Sequence, residues 1–320
     1  MAKEIAVGID IGGTLTKVGL VDREGEFYGH TDFRTKKFSD FASYLDKLSD
    51  VINDLTSKLD QEVEVKGIGV GAPNANYFRG TIEHAANLKW KGVVPFTEEL
   101  KKKYDLPIYI TNDANAAAIG EMIYGNAADM KDFMVITLGT GLGSGIVSNG
   151  ELIYGHDAQA GELGHVTIIP GGRVCGTGRR GCLEAYVSST GIKRTIYALL
   201  ADSLEDSVFR SVAFNDIHGE DITKAAEDGD PIAREAYRYP GELLGRQLAD
   251  FVAFSHPQNI FLLGGLAKAG KWIFDPTKNY FEESVLPYYK GKVSIEPSGM
   301  MDMNAAILGA AALVWKQLKG

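Results

Sequence analysis

The sequence is short of cysteine, of long apolar runs and of concentrated positive charge. Only two cysteines occur in 320 residues, Cys175 and Cys182. The N-terminus, MAKEIAVGIDIGG, has no signal-peptide pattern, so a cytoplasmic setting is expected and the pair is not read as a disulfide. No apolar stretch reaches the ~18 residues that suggest a membrane-spanning helix. Acidic residues outnumber basic ones, 42 to 33, for a net charge of −9, so a nucleic-acid partner would need a local basic patch. The one dense basic run, Lys101-Lys102-Lys103, fits a solvated helix face. Also missing are a GxxxxGK(S/T) loop and a GxGxxG turn opening a helix, which excludes the Walker and dinucleotide-binding signatures. There is no linker or low-complexity stretch. Hydrophobic usage of 45% and charged usage of 23% exclude disorder and indicate one large or two ordinary domains.

What is present is organised around residues 108 to 121, IYITNDANAAAIGE. A short β-rich run, Ile108 to Ile110, passes through Thr111-Asn112-Asp113 into an Ala-rich segment of high helix propensity. Open α/β sheets bind ligands where strands give way to helices, so the Asp113 carboxylate is a candidate reactive group. The same residue also suits a helix cap, accepting from backbone N–H groups of the next turn.

Two Gly-Thr turns accompany it. Residues 4 to 22 read as two strands around Gly12-Gly13-Thr14, a β-hairpin whose turn suits phosphate oxygens. Thr14 and Thr16 add hydroxyl donors, and Asp10 is placed to hold a magnesium-bound water. Residues 133 to 147, FMVITLGTGLGSGIV, repeat the plan around Gly139-Thr140-Gly141. This echo, about 130 residues on, suggests two related halves. The strand Asn259 to Leu263 ends in Gly264-Gly265, a turn without side-chain bulk that suits a purine or ribose.

The rest of the chain alternates in the same way. Helical spacing runs from Phe38 to Asp60 and again from Phe96 to Tyr104, with a strand at 65 to 70 between them. Asn74 and Asn87 lie in the loops after that strand and are able to bond sugar hydroxyls in both directions. Asp221 to Tyr237 and Gly241 to Phe254 read as two helices, Gly291 to Ile295 as a late strand and Ala305 to Leu318 as a helix. Glu162 and His165 form a Glu-x-x-His cluster. His165, Cys175 and Cys182 have zinc-ligand spacing with Glu184 close behind, but three ligands are too few for a closed tetrahedral site.

Five segments now fall in one order: DIGGT (10–14), ITNDANAA (110–117), LGTGLGSGIV (138–147), AGELGHVTI (160–168) and GCLEAY (181–186). On these, over nearly its whole length, the chain resembles the ROK family of bacterial sugar kinases in the actin/hexokinase-like superfamily. The resemblance implies an α/β fold of two actin-like (ribonuclease H-like) lobes with a nucleotide and sugar cleft. The small lobe would hold residues 1–112 plus 305–320 and the large lobe residues 113–304. It implies Asp113 as catalytic base, and Asn87, Asn112, Glu162, His165 and Glu184 as sugar contacts. Asp10, Gly12, Gly13, Thr14, Thr16, Gly139, Thr140, Gly141, Gly264 and Gly265 are then the nucleotide and phosphate positions. The implied reaction is transfer from ATP, with Mg²⁺, to the 6-hydroxyl of a hexose, glucose first. N-acetylmannosamine, N-acetylglucosamine, fructose and allose are the alternatives. The family also contains DNA-binding repressors and implies a non-catalytic sugar sensor as a further alternative. The first turn begins at Gly12, leaving no room for a preceding DNA-binding segment, and no nucleic-acid partner is expected. Family members form dimers or tetramers, so a homo-oligomer is expected. Two departures stand out. The family's C-x-C-G-x-x-G-C motif has Thr177 in place of its middle cysteine. A neutral hydroxyl is a poor zinc ligand, which points to loss of the metal and hydrogen bonding around His165 instead. Asn74 stands where the sugar kinases carry Gly after the proline.

Overall fold

The computed structural model describes residues 2–59, 63–301 and 303–318. The first strands are β1 (Lys3–Ile11), β2 (Thr16–Asp22) and β3 (Phe27–Phe33), followed by helix α1 (Phe41–Thr56), β4 (Val63–Gly71), β5 (Ile108–Thr111) and α2 (Asp113–Tyr124). Next come β6 (Phe133–Leu138), β7 (Leu142–Ser148), β8 (Glu151–Leu152), α3 (Ser189–Asp202), α4 (Gly219–Glu227) and α5 (Pro231–Ser255). The chain ends with β9 (Asn259–Leu263), α6 (Lys271–Ser284), β10 (Ser294–Pro297) and α7 (Ala305–Leu318). Met1, Asp60, Lys319 and Gly320, the expected ends of the first helix and of the small lobe, lie outside the described residues. Among the described residues no helix is long and apolar enough to cross a membrane.

Two five-stranded mixed sheets repeat one plan. The first runs β3-β2-β1-β4-β5 and the second β8-β7-β6-β9-β10. In the first, β1 pairs antiparallel with β2 and parallel with β4, and β4 pairs parallel with β5. In the second, β6, β9 and β10 run parallel, as β1, β4 and β5 do. This is the actin-like duplication that the echoed Gly-Thr turns imply.

The chain divides into two compact units, Met1–Lys131 with Gly145–Gly161 and Asp302–Gly320, and Asp132–Ser144 with Glu162–Met301. The expected division at 112/113 is thus corrected. Helix α2 stays with the first unit because it packs on α7: a Cβ on Gly309 would lie 2.7 Å from the Ala116 carbonyl oxygen. The β7 residue Gly145 joins it, with no room for a side chain beside Ala118.

In the first unit the sheet is covered on both faces, so β1 is buried almost continuously rather than alternately. Ile5, Val7 and Ile9 join the apolar cluster of Tyr44, Leu48 and Ile52 from α1. The opposite face is built of glycine. Gly19, Gly8 and Gly69 are paired abreast across β2, β1 and β4. Helix α7 lies on that row: a Cβ on Gly8 would stand 2.3 Å from the Ile307 carbonyl oxygen, and one on Gly69 only 1.8 Å from that of Ala310.

In the second unit the helices expected at 221–237 and 241–254 are corrected. The break lies at Asp228-Gly229-Asp230, where Asp230 caps α5 by accepting from the Ala233 N–H at 3.0 Å and Pro231 takes the first turn. Helix α5 then runs on through the buried Pro240. Gly241 and Gly245 let α6 approach closely, since a Cβ on Gly245 would be 2.3 Å from the Thr277 carbonyl oxygen. Helices α3 and α6 have no counterpart among the sequence expectations.

Candidate active site

The carboxyl ends of three parallel strands are level in the first unit. Asp10 pairs with Gly71, and Gly71 with Thr111. Asp113 therefore emerges two residues beyond the same edge that carries Asp10. Asn112, not Asp113, caps α2, accepting from the Asn115 N–H at 2.7 Å. That corrects the capping alternative: Asp113 is the first helical residue, and its Oδ1 accepts from the neighbouring Ala114 N–H at 2.9 Å. The Asn112 amide oxygen is committed to the cap, which leaves its NH₂ group for a ligand.

Asp113 has a solvent-accessible side chain yet is crowded by surrounding protein. Accessible area and crowding point different ways here, and the acidity follows the crowding, because charge loses more hydration than the exposed edge restores. Desolvation therefore raises its pKa, against the pull of the Ala114 N–H. Half-buried Asp10 is pushed up from 3.8 to about 6, first by desolvation and then by the Asp113 charge, with Lys17 opposing. The folded state thus binds this proton more tightly than the unfolded chain. Its stabilising effect is present below the ordinary carboxylate pKa and is lost as pH rises towards 6. Asp10→Asn should accordingly raise the Tm by a few degrees at pH 7.5, about 1 kcal/mol after allowing for its partial exposure, and not near pH 4. Thermal melts at the two pH values check this. Equal Tm values for variant and parent at pH 7.5 would refute it.

The first Gly-Thr turn is closed by the Gly12 N–H donating to the Leu15 carbonyl at 2.9 Å, so that amide is not open to a phosphate. Gly13 lies against Asn87, whose carbonyl oxygen would be 2.7 Å from an added Cβ. The loop that carries Asn87 is thereby seated on the turn. Thr14 is exposed at the tip. Thr16 is not a phosphate donor, contrary to expectation: it is fully buried, and its hydroxyl bonds Thr35 Oγ1 at 2.8 Å and Tyr44 OH at 3.0 Å. Position 16 opens β2, and β2 turns this side chain into the core. Asn74 has φ +51°. The left-handed backbone explains why this position suits glycine and accepts asparagine.

In the second unit, Thr140 is likewise exposed at the tip of its turn, where the Gly139 N–H donates to the Gly141 carbonyl at 3.0 Å. Glu162 and His165 flank one 3₁₀ turn, which brings residues three apart onto one side; their Oε2 and Nε2 are 3.8 Å apart. The turn rests on β7 through the Leu163 N–H donating to Ser144 Oγ at 3.3 Å, and Gly164 has no room for a Cβ beside the Leu142 carbonyl. His165, Cys175 and Cys182 do converge, with ligand atoms within 4.8 Å of one another. His165 Nδ1 is buried without a hydrogen-bond partner, and Cys175 Sγ lies 3.0 Å from both Thr177 Oγ1 and Cys182 Sγ. The donors match zinc in kind but stop one short of a closed tetrahedral set.

Gly264 has φ +111° and sits under the Leu138 carbonyl, which accepts from the Leu266 N–H at 3.1 Å. Beside this turn is a cavity of about 550 Å³ lined by Ser189, Lys193, His218, Thr223, Gly265 and Lys268 among others. Of these only Gly265 was legible in the sequence. The rest come from three helices and their approaches, with no spacing to mark them.

Comparison with known proteins adds relatives over the whole length. The family model described as "ROK family" matches residues 6–317. A glucokinase of Halalkalibacterium halodurans is 33% identical over 97% of this chain and 95% of its own length. Among solved structures, a ROK family glucokinase from Streptomyces griseus in complex with glucose and AMPPNP superposes with a TM-score of 0.81 at 28% identity, covering 98% of this chain and 99% of that one. A ROK family transcriptional regulator, a homolog of the E. coli MLC protein, gives a TM-score of 0.88 at 27% identity, covering 98% of this chain and 78% of that one.

Proposed function

Because the chain belongs to the ROK family, we propose that it is an ATP-dependent hexose kinase that phosphorylates glucose at the 6-hydroxyl. The observation that carries the reading is Asp113: a carboxylate of raised pKa at the exposed end of a strand, freed from capping by Asn112. A hexose hydroxyl is too weak an acid to ionise beforehand, so the base need only stand ready as the new bond forms. The sugar O6 bonds to the γ-phosphorus, its proton passes to an Asp113 oxygen, and the bond from phosphorus to the ADP oxygen breaks. Asn87, Asn112, Glu162, His165 and Glu184 hold ring hydroxyls, and a sugar lacking one leaves unpaired a polar group that the bound sugar shields from water. The Thr14 and Thr140 hydroxyls bond phosphate oxygens, and the cavity beside Gly265 takes the nucleoside, which favours ATP over polyphosphate as donor. Asp10 and its repelling neighbour Asp113 fit a divalent cation. Magnesium there would neutralise phosphate charge, with Asp10 holding it through water.

The test is ADP release from Mg-ATP across glucose, mannose, fructose, allose and the two N-acetylhexosamines. Glucose is expected to turn over best. Best turnover with another sugar would move the substrate. A second reading, a sugar sensor, draws on the likeness to the transcriptional regulator. Sugar binding with no ADP release from any member of the panel would favour it.

A further inference from the structure

The second Gly-Thr turn is held from behind by a residue assigned above only to the sugar. The Leu142 N–H, last in the turn, donates to Glu184 Oε2 at 3.2 Å. Gly141 makes room for that oxygen: a Cβ there would lie 2.3 Å from it. The carboxylate is not a loose reach across the surface. Glu184 stands in a 3₁₀ turn, Leu183–Ala185, and its own carbonyl accepts from the Ser188 hydroxyl at 2.8 Å. One residue on, the Ser189 N–H donates to the Gly139 carbonyl at 2.8 Å. Segment 184–189 therefore grips the turn at both ends, Gly139 and Leu142. Ser189 then opens α3 and lines the nucleoside-sized cavity. On its other side Glu184 faces the cysteine loop, with Oε1 3.6 Å from where a Gly176 Cβ would be.

We infer that Glu184 is a positioning residue for the phosphate turn. Its carboxylate fixes the Leu142 amide and so sets nucleotide affinity, in addition to its sugar contact. A hydroxyl that bonds Glu184 then shares one carboxylate with the turn that grips the phosphates. The two substrates are linked through a single side chain. This rests on the kinase reading for its consequence but not for its geometry.

The experiment measures Mg-AMPPNP affinity by calorimetry without sugar, together with hydrogen exchange at the Leu142 amide. Glu184→Ala is expected to weaken the nucleotide about tenfold, the size of a lost bond to a charged group, and to speed exchange at Leu142. Glu184→Gln keeps an acceptor while removing the charge. It should hold the nucleotide within about threefold of the parent and leave exchange slow, which also separates the bond from any repulsion between carboxylate and phosphate. A residue that serves the sugar alone would change the KM for glucose and neither of these readings. Parent-like AMPPNP affinity in Glu184→Ala overturns the inference, and so does unchanged exchange at Leu142. If the parent binds no nucleotide, the kinase reading falls, while exchange still decides whether Glu184 holds the turn.

Discussion

Asp113→Asn lowers kcat for glucose about 10³-fold, the central range for loss of a general base, with both KM values within about threefold of the parent. The asymmetry follows from the geometry. Asparagine is nearly isosteric, keeps an oxygen for the Ala114 N–H, and leaves the Asn112 cap intact, so the fold and the sugar contacts persist. What it lacks is the ability to take the proton. Desolvation raises the Asp113 pKa, so the acid limb of the parent's kcat profile should lie above the ordinary carboxylate range. Activity is lost as pH falls through that raised value, because the protonated acid is no longer a base. Steady-state ADP release across pH 4.5 to 8 measures both effects. Full turnover by Asp113→Asn would remove the base assignment.

The second large effect concerns stability. Gly69→Ala is expected to cost about 3–5 kcal/mol, seen as a Tm lower by roughly 10 °C or as loss of soluble protein. The added methyl would stand 1.8 Å from the Ala310 carbonyl oxygen and 2.8 Å from its carbon. Both are backbone atoms of a helix and have no rotamer to retreat into. Helix α7 must therefore lift from the sheet. Gly219→Ala is the control: nothing lies within 4 Å of its Cβ position, and its melt should be unchanged within a degree or so. Equal melts for Gly69→Ala and the parent would show that the sheet and helix yield more readily than close packing allows.

Much of this was legible in the sequence wherever chemistry and periodicity agree. The strand, turn and Ala-rich helix around Asp113 follow from propensity and capping residues, and both Gly-Thr turns stand where the repeat places them. The failures have physical causes. Thr16 sits beside the turn, but strand alternation points its hydroxyl inward, and nothing local announces Thr35 and Tyr44 as its partners. Pro240 lies between the two helices expected at 221–237 and 241–254, yet one long helix packed on α6 runs through it. The run Lys66-Gly-Ile-Gly-Val-Gly71 reads correctly as a strand. Its alternating glycines also mark a face with no side chains, and two helices explain that face: α7 lies on Gly67 and Gly69, and α2 lies on Gly71. The cavity residues are scattered over segments whose meeting is a tertiary fact.

The glycine row has a consequence for how the protein is made. Gly8 and Gly69 leave the ribosome well before the helix that covers them, which follows roughly 240 residues after Gly69. At ordinary synthesis rates of about 5–20 residues per second, that interval is on the order of 10–50 s. Throughout it, the nascent sheet that carries Asp10 waits with its glycine face unfilled. Docking of α7 is thus a late event that joins segments far apart in the sequence, and the strand edge that Asp10 and Asp113 share reaches its packed form only after residues 305–318 have been made.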